Sequence, residues 1–448
     1  MAYDTILQEL SFRNLTVKNR IFRSNISGRF DNYDGSGNQS RINWEVKFAR
    51  GGVGAIISSF VPVSIRGRII PMYATIDSDD KIPFWTEVGR AVHEYDCKYI
   101  MQLSHSGRQQ DVSGVENLYR GALSSSGKVE SFHGLLATAM TEEDIAQAID
   151  DFAEGARRAQ EAGLDGVELH GANGYLITQF LSSAINDRTD KYGGSLENRA
   201  RFVREIVRAI RAKVGKNFHL QMKISAVDYN NAVFFWEKAG TVLEESVQVC
   251  KWLIEDGVDG LHVSTGNMFP HPRNPMGGFP AEEAVKWYDL MLSSGVHTHR
   301  NYAIFRNRFL RRAFLYLWHR KTESGDKIEG ATASDARVIR ASIRQMTDQI
   351  PVICTGGFQT GSRISALIED GSVDAVSIAR PLIANNDLVK YFERGEEVPE
   401  QLRCTYCNKC LLNVLENPLG CYELSRFDGD YEKMIAEVMT VFEPKPFE

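Results

Sequence analysis

Three side chains able to donate, accept or pass on a proton stand close together at His170, Asn173 and Tyr175. They end the apolar run Gly166-Val-Glu-Leu-His170, which reads as a buried strand of a parallel sheet. Polar groups just past the C-terminal end of such a strand are where α/β enzymes keep their chemistry. A lone His or Tyr at such a place is more often a packed core residue. Three in one loop, followed by Asn186-Asp-Arg-Thr-Asp190 and Tyr192-Gly-Gly-Ser195, are not accounted for by packing.

A second chemical group lies near the end of the chain. Cys404-Thr-Tyr-Cys407-Asn-Lys-Cys410 is followed by Cys421, a four-ligand spacing for a metal or cluster. A zinc site with four cysteine ligands usually shows two C-x-x-C pairs, so three close Cys and one distant Cys fit an iron–sulfur cluster better. Cys97, Cys250 and Cys354 sit singly in apolar runs and read as core residues. Clustered Cys without a secretion signal point to metal or redox chemistry over disulfides.

The elements that position these groups alternate between strand and helix. Strand signals fall at Arg20–Asn25, Ala55–Phe60, Lys98–Leu103, Gly166–His170, Phe218–Ile224, Gly260–Thr265, Pro351–Gly356 and Val373–Ile378. Helical patterns separate them, among them Glu142–Ala162, opened by Thr141 and Asp144 as a capping box and closed by Gly163. Eight such units predict a (β/α)8 TIM barrel, and no G-x-G-x-x-G in a convincing context supports a doubly wound sheet. The loops after strands seven and eight would then hold phosphate. Gly356 and Gly357 allow close backbone approach, Ala379 opens the second loop, and Arg380 adds a forked charge.

The 448 residues are 43% hydrophobic, enough for one barrel and an extension, expected as 1–395 and 396–448. A net charge of -6 points away from nucleic acid. The start reads as polar and without a signal segment, and no apolar run approaches a membrane span, so a cytoplasmic location is expected.

The stretch His170 through Arg199 resembles the signature of the Old Yellow Enzyme family, matching H-x-x-[HN]-G-Y-L and N-x-R-T-D-x-Y-G-G-S-x-E-N-R at nearly every position. The resemblance implies a TIM barrel with FMN, reduced by NAD(P)H, that reduces a conjugated C=C bond of a carbonyl or thioester. His170 and Asn173 match the paired donors to the substrate oxygen, and Tyr175 matches the group that protonates the α-carbon. Gln102 would meet the pyrimidine edge of the flavin. Lys223 stands where many members have Arg near N1 and O2, and Ser27 where Cys or Thr is common near O4. Asn25 replaces a common Pro and Phe60 a common small residue, so the surroundings of the ring differ there. An amine or N-methyl dehydrogenase and a non-catalytic electron-transfer flavoprotein are the alternatives.

The cysteine region is similar to that of the branch containing 2,4-dienoyl-CoA reductase and trimethylamine dehydrogenase, which implies a 4Fe–4S cluster on Cys404, Cys407, Cys410 and Cys421. Those relatives continue into nucleotide-binding domains, so the reading expects electron exchange with another protein, or a structural role. A small-molecule substrate and a homo-oligomer are expected. Between strands six and seven an insertion runs from about 297 to 330. From His297 to Lys321 it carries no acidic residue but many Arg and aromatics. A helical wheel places Phe305, Phe309 and Trp318 near one side. A surface hairpin, a peripheral membrane contact, a partner-binding face and an active-site lid are all compatible with that pattern.

Overall fold

The computed structural model describes residues 3–110, 121–415 and 417–442. The outermost parts of the two expected domains, residues 1–2 and 443–448, lie outside that range. Eight parallel strands close into a barrel: β1 (Ile21–Arg23), β2 (Ala55–Pro62), β3 (Lys98–Ser104), β4 (Gly166–Gly171), β5 (His219–Ser225), β6 (Gly260–Ser264), β7 (Val352–Thr355) and β8 (Ala375–Ile378). Each falls on a predicted strand. Sequential neighbours pair throughout, and β8 returns to β1 to close the ring. The main crossover helices are α1 (Gln39–Arg50), α2 (Ile82–His93), α3 (Glu142–Glu161), α4 (Leu196–Val214) and α5 (Leu243–Glu255). After β6 come α6 (Ala281–Met291), α7 (Thr298–Arg306), α8 (Arg308–His319) and α9 (Ala333–Arg344), and α10 (Gly361–Glu369) follows β7.

The strands are buried on both faces, which is why they read as continuous apolar runs rather than alternating ones. The helices bury single faces. In α4, Phe202, Val203, Ile206, Val207 and Ile210 turn inward while Arg201 and Arg208 face outward. The expected capping box of α3 is present in both directions, Asp144 N–H to Thr141 and Thr141 N–H to Asp144. At the N-terminal end of the barrel a small hairpin, Leu10–Ser11 with Thr16–Val17, plugs the opening, and Phe12 packs on Phe22 and the His219 ring. The opposite end is left for a site.

A second apolar core roofs that end. Phe132, Phe279, Trp287, Tyr288, Phe305 and Trp318 pack together with Leu412 and Leu415 from the cysteine-rich region. The insertion departs from the single helical wheel expected of it. Asn307 breaks it (φ -84, ψ 118), and the Asn307 side chain accepts from the N–H groups of Phe309 and Leu310 to start α8. That break rotates the second helix, so Phe305 and Trp318 are buried while Phe309 stands 71% exposed. Beyond the barrel, the helix Tyr431–Met439 and its following turn return to α1, where the Asn43 side chain donates to the Val441 carbonyl at 2.9 Å.

Candidate active site

A cavity of about 230 Å³ opens at the C-terminal end of the strands. It gathers Asn25, Ser27, His170, Asn173, Tyr175, Lys223, Gly356, Gly357, Ala379 and Arg380 from five different strand ends. Phe60 and Gln102, also predicted from the sequence, are not among its lining residues: Phe60 packs on His170 and Tyr175, and Gln102 bonds Glu168.

The loop after β4 sets the three proton-handling groups. His170 is the last buried side chain of the strand run, with no hydrogen-bond partner for Nδ1 among the described residues. Burial, and then the nearby Lys223 and His262, push its pKa well below the ordinary value, so the ring is neutral. Asn173 takes a left-handed conformation (φ 61), one that Asn tolerates better than most residues, and its carbonyl accepts from Gln109. Gly174 (φ 82) follows, where a Cβ would fall 2.0 Å from the Asn267 carbonyl oxygen. This reversal turns Tyr175 back over the strand end, its ring 4.7 Å from His170 and 4.8 Å from Phe60. Phe60 therefore buttresses the pair, while its N–H donates to Ser27 Oγ at 2.9 Å.

The floor is a buried polar network across six strands. Glu168, one turn of the pleat below His170, accepts from Gln102 Nε2 at 2.8 Å, Gln221 Nε2 at 2.5 Å and His262 Nδ1 at 2.8 Å. The other ring nitrogen of His262 faces the Thr355 and Ser377 hydroxyls, each at 2.6 Å. Desolvation keeps His262 neutral, which assigns the proton to Nδ1 and lets Nε2 accept. Burial opposes ionisation of Glu168, but the hydrogen bonds from His262 and Gln221 and the charge of Lys223 hold its pKa below the ordinary value. Gln102 spends its amide on Glu168 and leaves Oε1 without a partner among the described residues. Lys223 donates to Asn25 Oδ1 above this floor. Burial lowers its pKa to about 8, with Glu168 opposing.

The phosphate-type loops are present but joined to the cysteine-rich region. Gly357 has φ 67, and a Cβ there would fall 2.8 Å from Ile328 Cγ2. The Tyr406 hydroxyl donates to the Gly357 carbonyl. Arg380 donates to the Met276 carbonyl at 2.6 Å and to Asn408 Oδ1 at 2.5 Å, and lies over the Tyr406 ring at 5.2 Å.

The four clustered cysteines line one small cavity of about 20 Å³, with Arg380, Glu423 and Arg426. Among the described residues no three His, Cys, Asp or Glu are set to hold a single metal ion. Burial pushes Cys404 up to about 12 and Cys410 well above its ordinary value. Such thiols ionise only against a positive partner. Cys97, Cys250 and Cys354 are buried in the core, as expected.

Sequence reasoning missed several wall residues. Tyr73, Arg273 and Trp287 line the cavity. Arg273 pairs with Glu323 of the insertion at 3.0 Å and lies over Tyr229. The run His271-Pro-Arg-Asn-Pro-Met-Gly-Gly278, dense in Pro and Gly just after a barrel strand, was the available signal.

The description of the NADH:flavin oxidoreductase / NADH oxidase family matches residues 5–277, more than half of the chain. An NADH oxidase of Thermoanaerobacter brockii is 38% identical over 265 residues, 59% of this chain and 39% of that protein. A bilirubin reductase of Mediterraneibacter gnavus is 28% identical over 436 residues, 96% of this chain and 58% of its own length. Among solved structures, a 2-naphthoyl-CoA reductase complex superposes with a TM-score of 0.74 at 22% identity, covering 96% of this chain and 58% of the other. The chain thus spans between about four and six tenths of these proteins' lengths. No described helix is long and apolar enough to cross a membrane. The barrel, the strand-end cavity and the match over residues 5–277 agree: the chain belongs to the NADH:flavin oxidoreductase / NADH oxidase family.

Proposed function

We propose that this protein is an FMN-dependent, NAD(P)H-linked oxidoreductase that reduces the C=C bond of a conjugated carbonyl or thioester. The observation that carries the reading is the juxtaposition of neutral His170, Asn173 and Tyr175 in one cavity with Lys223, which stands beside His170 on the next strand. The residues present fit a flavin. Gln102 Oε1 and His170 Nδ1 are buried polar atoms awaiting partners. Gly357 keeps open a space that a side chain would fill. Ser27, Gln102 and Lys223 would hold the ring edge, and Gly356, Gly357, Ala379 and Arg380 the phosphate. When bound, FMN supplies the hydride.

The protein's own part is to polarise and to deliver a proton. A neutral imidazole and a carboxamide donate to the substrate oxygen and stabilise the charge that grows there as hydride arrives at the β-carbon. The Tyr175 hydroxyl, held against His170 and Phe60, gives its proton to the α-carbon. Lys223 places a cation where negative charge develops on the reduced cofactor.

Amine oxidation is disfavoured because a cationic substrate would meet Lys223 and Arg273 in the same cavity. A purely electron-carrying role would leave the His170–Tyr175 arrangement unused. In the same reading, Cys404, Cys407, Cys410 and Cys421 hold a 4Fe–4S cluster, supported by their sharing one buried cavity. Anaerobically prepared protein should then contain iron and sulfide in equal amounts, and zinc without iron would contradict that assignment. The test of the main reading is the purified protein's flavin and its reoxidation. Non-covalent FMN, reduced by NAD(P)H and reoxidised by a conjugated enone or enoyl thioester, is expected. FAD, or reoxidation by dioxygen alone across a panel of such substrates, would contradict it.

A further inference from the structure

We infer that the outer face of α8 docks on an anionic lipid bilayer. The helix has two apolar faces. Phe314 and Trp318 turn inward and pack on Phe132 and Phe279. Phe309, Leu310, Tyr316 and Leu317 turn outward, 71%, 50%, 63% and 61% exposed. With Ala313 they recur at helical spacing and form one continuous arc. By contrast, α4 buries Phe202, Val203, Ile206, Val207 and Ile210.

The charges around that arc specify what covers it. Among the described residues, Arg306 is neutralised by Asp289 at 2.7 Å, but Arg308, Arg311, Arg312, Arg320 and Lys321 have no carboxylate partner. Four of the five arginines of α4 contrast with them: Arg199, Arg204, Arg208 and Arg211 are ion-paired. Arg308 and Arg320 lie over the rings of Phe309 and Tyr316 at 5.5 and 5.8 Å, stems along the apolar arc and heads beside it. An apolar arc bracketed by unpaired cations is complementary to an acyl boundary under anionic headgroups.

Two further observations favour a bilayer over a protein partner. The outward side chains are half exposed or more, so they stand proud of the surface instead of lining a shaped groove. A second aromatic pair, Phe235 and Trp236 in the loop after β5, is 79% and 70% exposed at the same end of the barrel, and Trp is enriched at membrane interfaces. In a chain of net charge -6, a segment from His297 to Lys321 without an acidic residue also fixes which end approaches an anionic surface. Trp287, Ile70 and Tyr73 belong to the same aromatic cluster as Trp318 and line the cavity. The inner face of α8 therefore packs into the same roof that bounds the site. That it shortens the path of an apolar substrate from bilayer to cavity rests on the function proposed above; the docking does not.

The test is flotation of the full-length, flavin-loaded protein with phosphatidylcholine vesicles, with and without phosphatidylglycerol. Binding to the mixed vesicles should exceed binding to the neutral ones by about tenfold or more at low salt and fall as salt rises. Phe309→Ser with Leu317→Ser alters only exposed positions and should lower binding by about tenfold or more on the same vesicles. Arg308→Gln with Arg312→Gln should remove the preference for the anionic vesicles. Wild-type protein that stays unbound on anionic vesicles at low salt overturns the inference. So does self-association in place of flotation, abolished by Phe309→Ser with Leu317→Ser, because the face would then be an interface between copies. Flotation does not depend on turnover, so loss of the proposed reaction and loss of docking are separable results.

Discussion

The floor and the roof of the cavity are built in opposite ways. The floor is polar and densely hydrogen-bonded: Glu168 takes three hydrogen bonds and His262 uses both ring nitrogens, all within strands that neighbour one another. The roof is aromatic and assembled from distant segments, Phe132, Phe279, Phe305, Trp318 and Leu415. Buried polar networks demand every partner at once, because each orphaned group costs its full desolvation. Aromatic packing tolerates shifts, and a roof of that kind can carry a second surface on its outside. A rigid floor fixes the reacting groups, and a looser roof sets what enters.

The largest effect should follow from breaking the floor. Glu168→Ala strands Gln102, Gln221 and His262 and leaves Lys223 without its counter-charge, for about 3–5 kcal/mol of stability, readable by urea unfolding. In the roof, Trp318→Ala should cost about 3 kcal/mol through the cavity it leaves. An unfolding free energy unchanged by Trp318→Ala would mean that the roof does not unfold with the barrel.

A smaller, pH-dependent effect belongs to Lys223. Its folded pKa of about 8 lies below the ordinary lysine value of 10.5, so between the two the unfolded chain binds more protons and stability rises with pH. Below that window the buried cation is a fixed cost. Substitution by Met should abolish the rise between about pH 8 and 10.5 in unfolding experiments on the cofactor-free protein, and an unchanged profile would assign the titration elsewhere. Smallest of all, Phe309→Ala on the outer roof should change stability by no more than about 0.5 kcal/mol, since the ring covers no core. A larger loss would place Phe309 inside a contact and weaken the contrast between the two faces of α8.

The barrel strands and the strand-end loop were legible in the sequence, but little of the floor's network or of the roof was. The eight strands announced themselves as apolar runs because both of their faces are buried, His170, Asn173 and Tyr175 followed from where one of those runs ends, and Lys223 from the family resemblance. Glu168 did not stand out, since inside an apolar run a single carboxylate reveals nothing of partners at Gln102, Gln221 and His262, which only barrel closure brings together. Periodicity extended across Asn307 put Phe309 on the wrong side, because the side-chain cap that breaks the helix is a local competition that a wheel ignores. The contact of Arg380 with Asn408 was likewise hidden. Asn408 lies between two of the clustered cysteines in a left-handed conformation (φ 64) that spacing alone does not disclose.

The most direct test of the account is to separate the two half-reactions by stopped flow. His170→Ala should slow reoxidation of the reduced flavin by a conjugated enone roughly a hundredfold. Tyr175→Phe should slow the same step through proton delivery, and both variants should keep reduction by NAD(P)H near the wild-type rate. Reoxidation that survives His170→Ala unchanged, or equal loss in both half-reactions, would contradict the roles assigned to this loop.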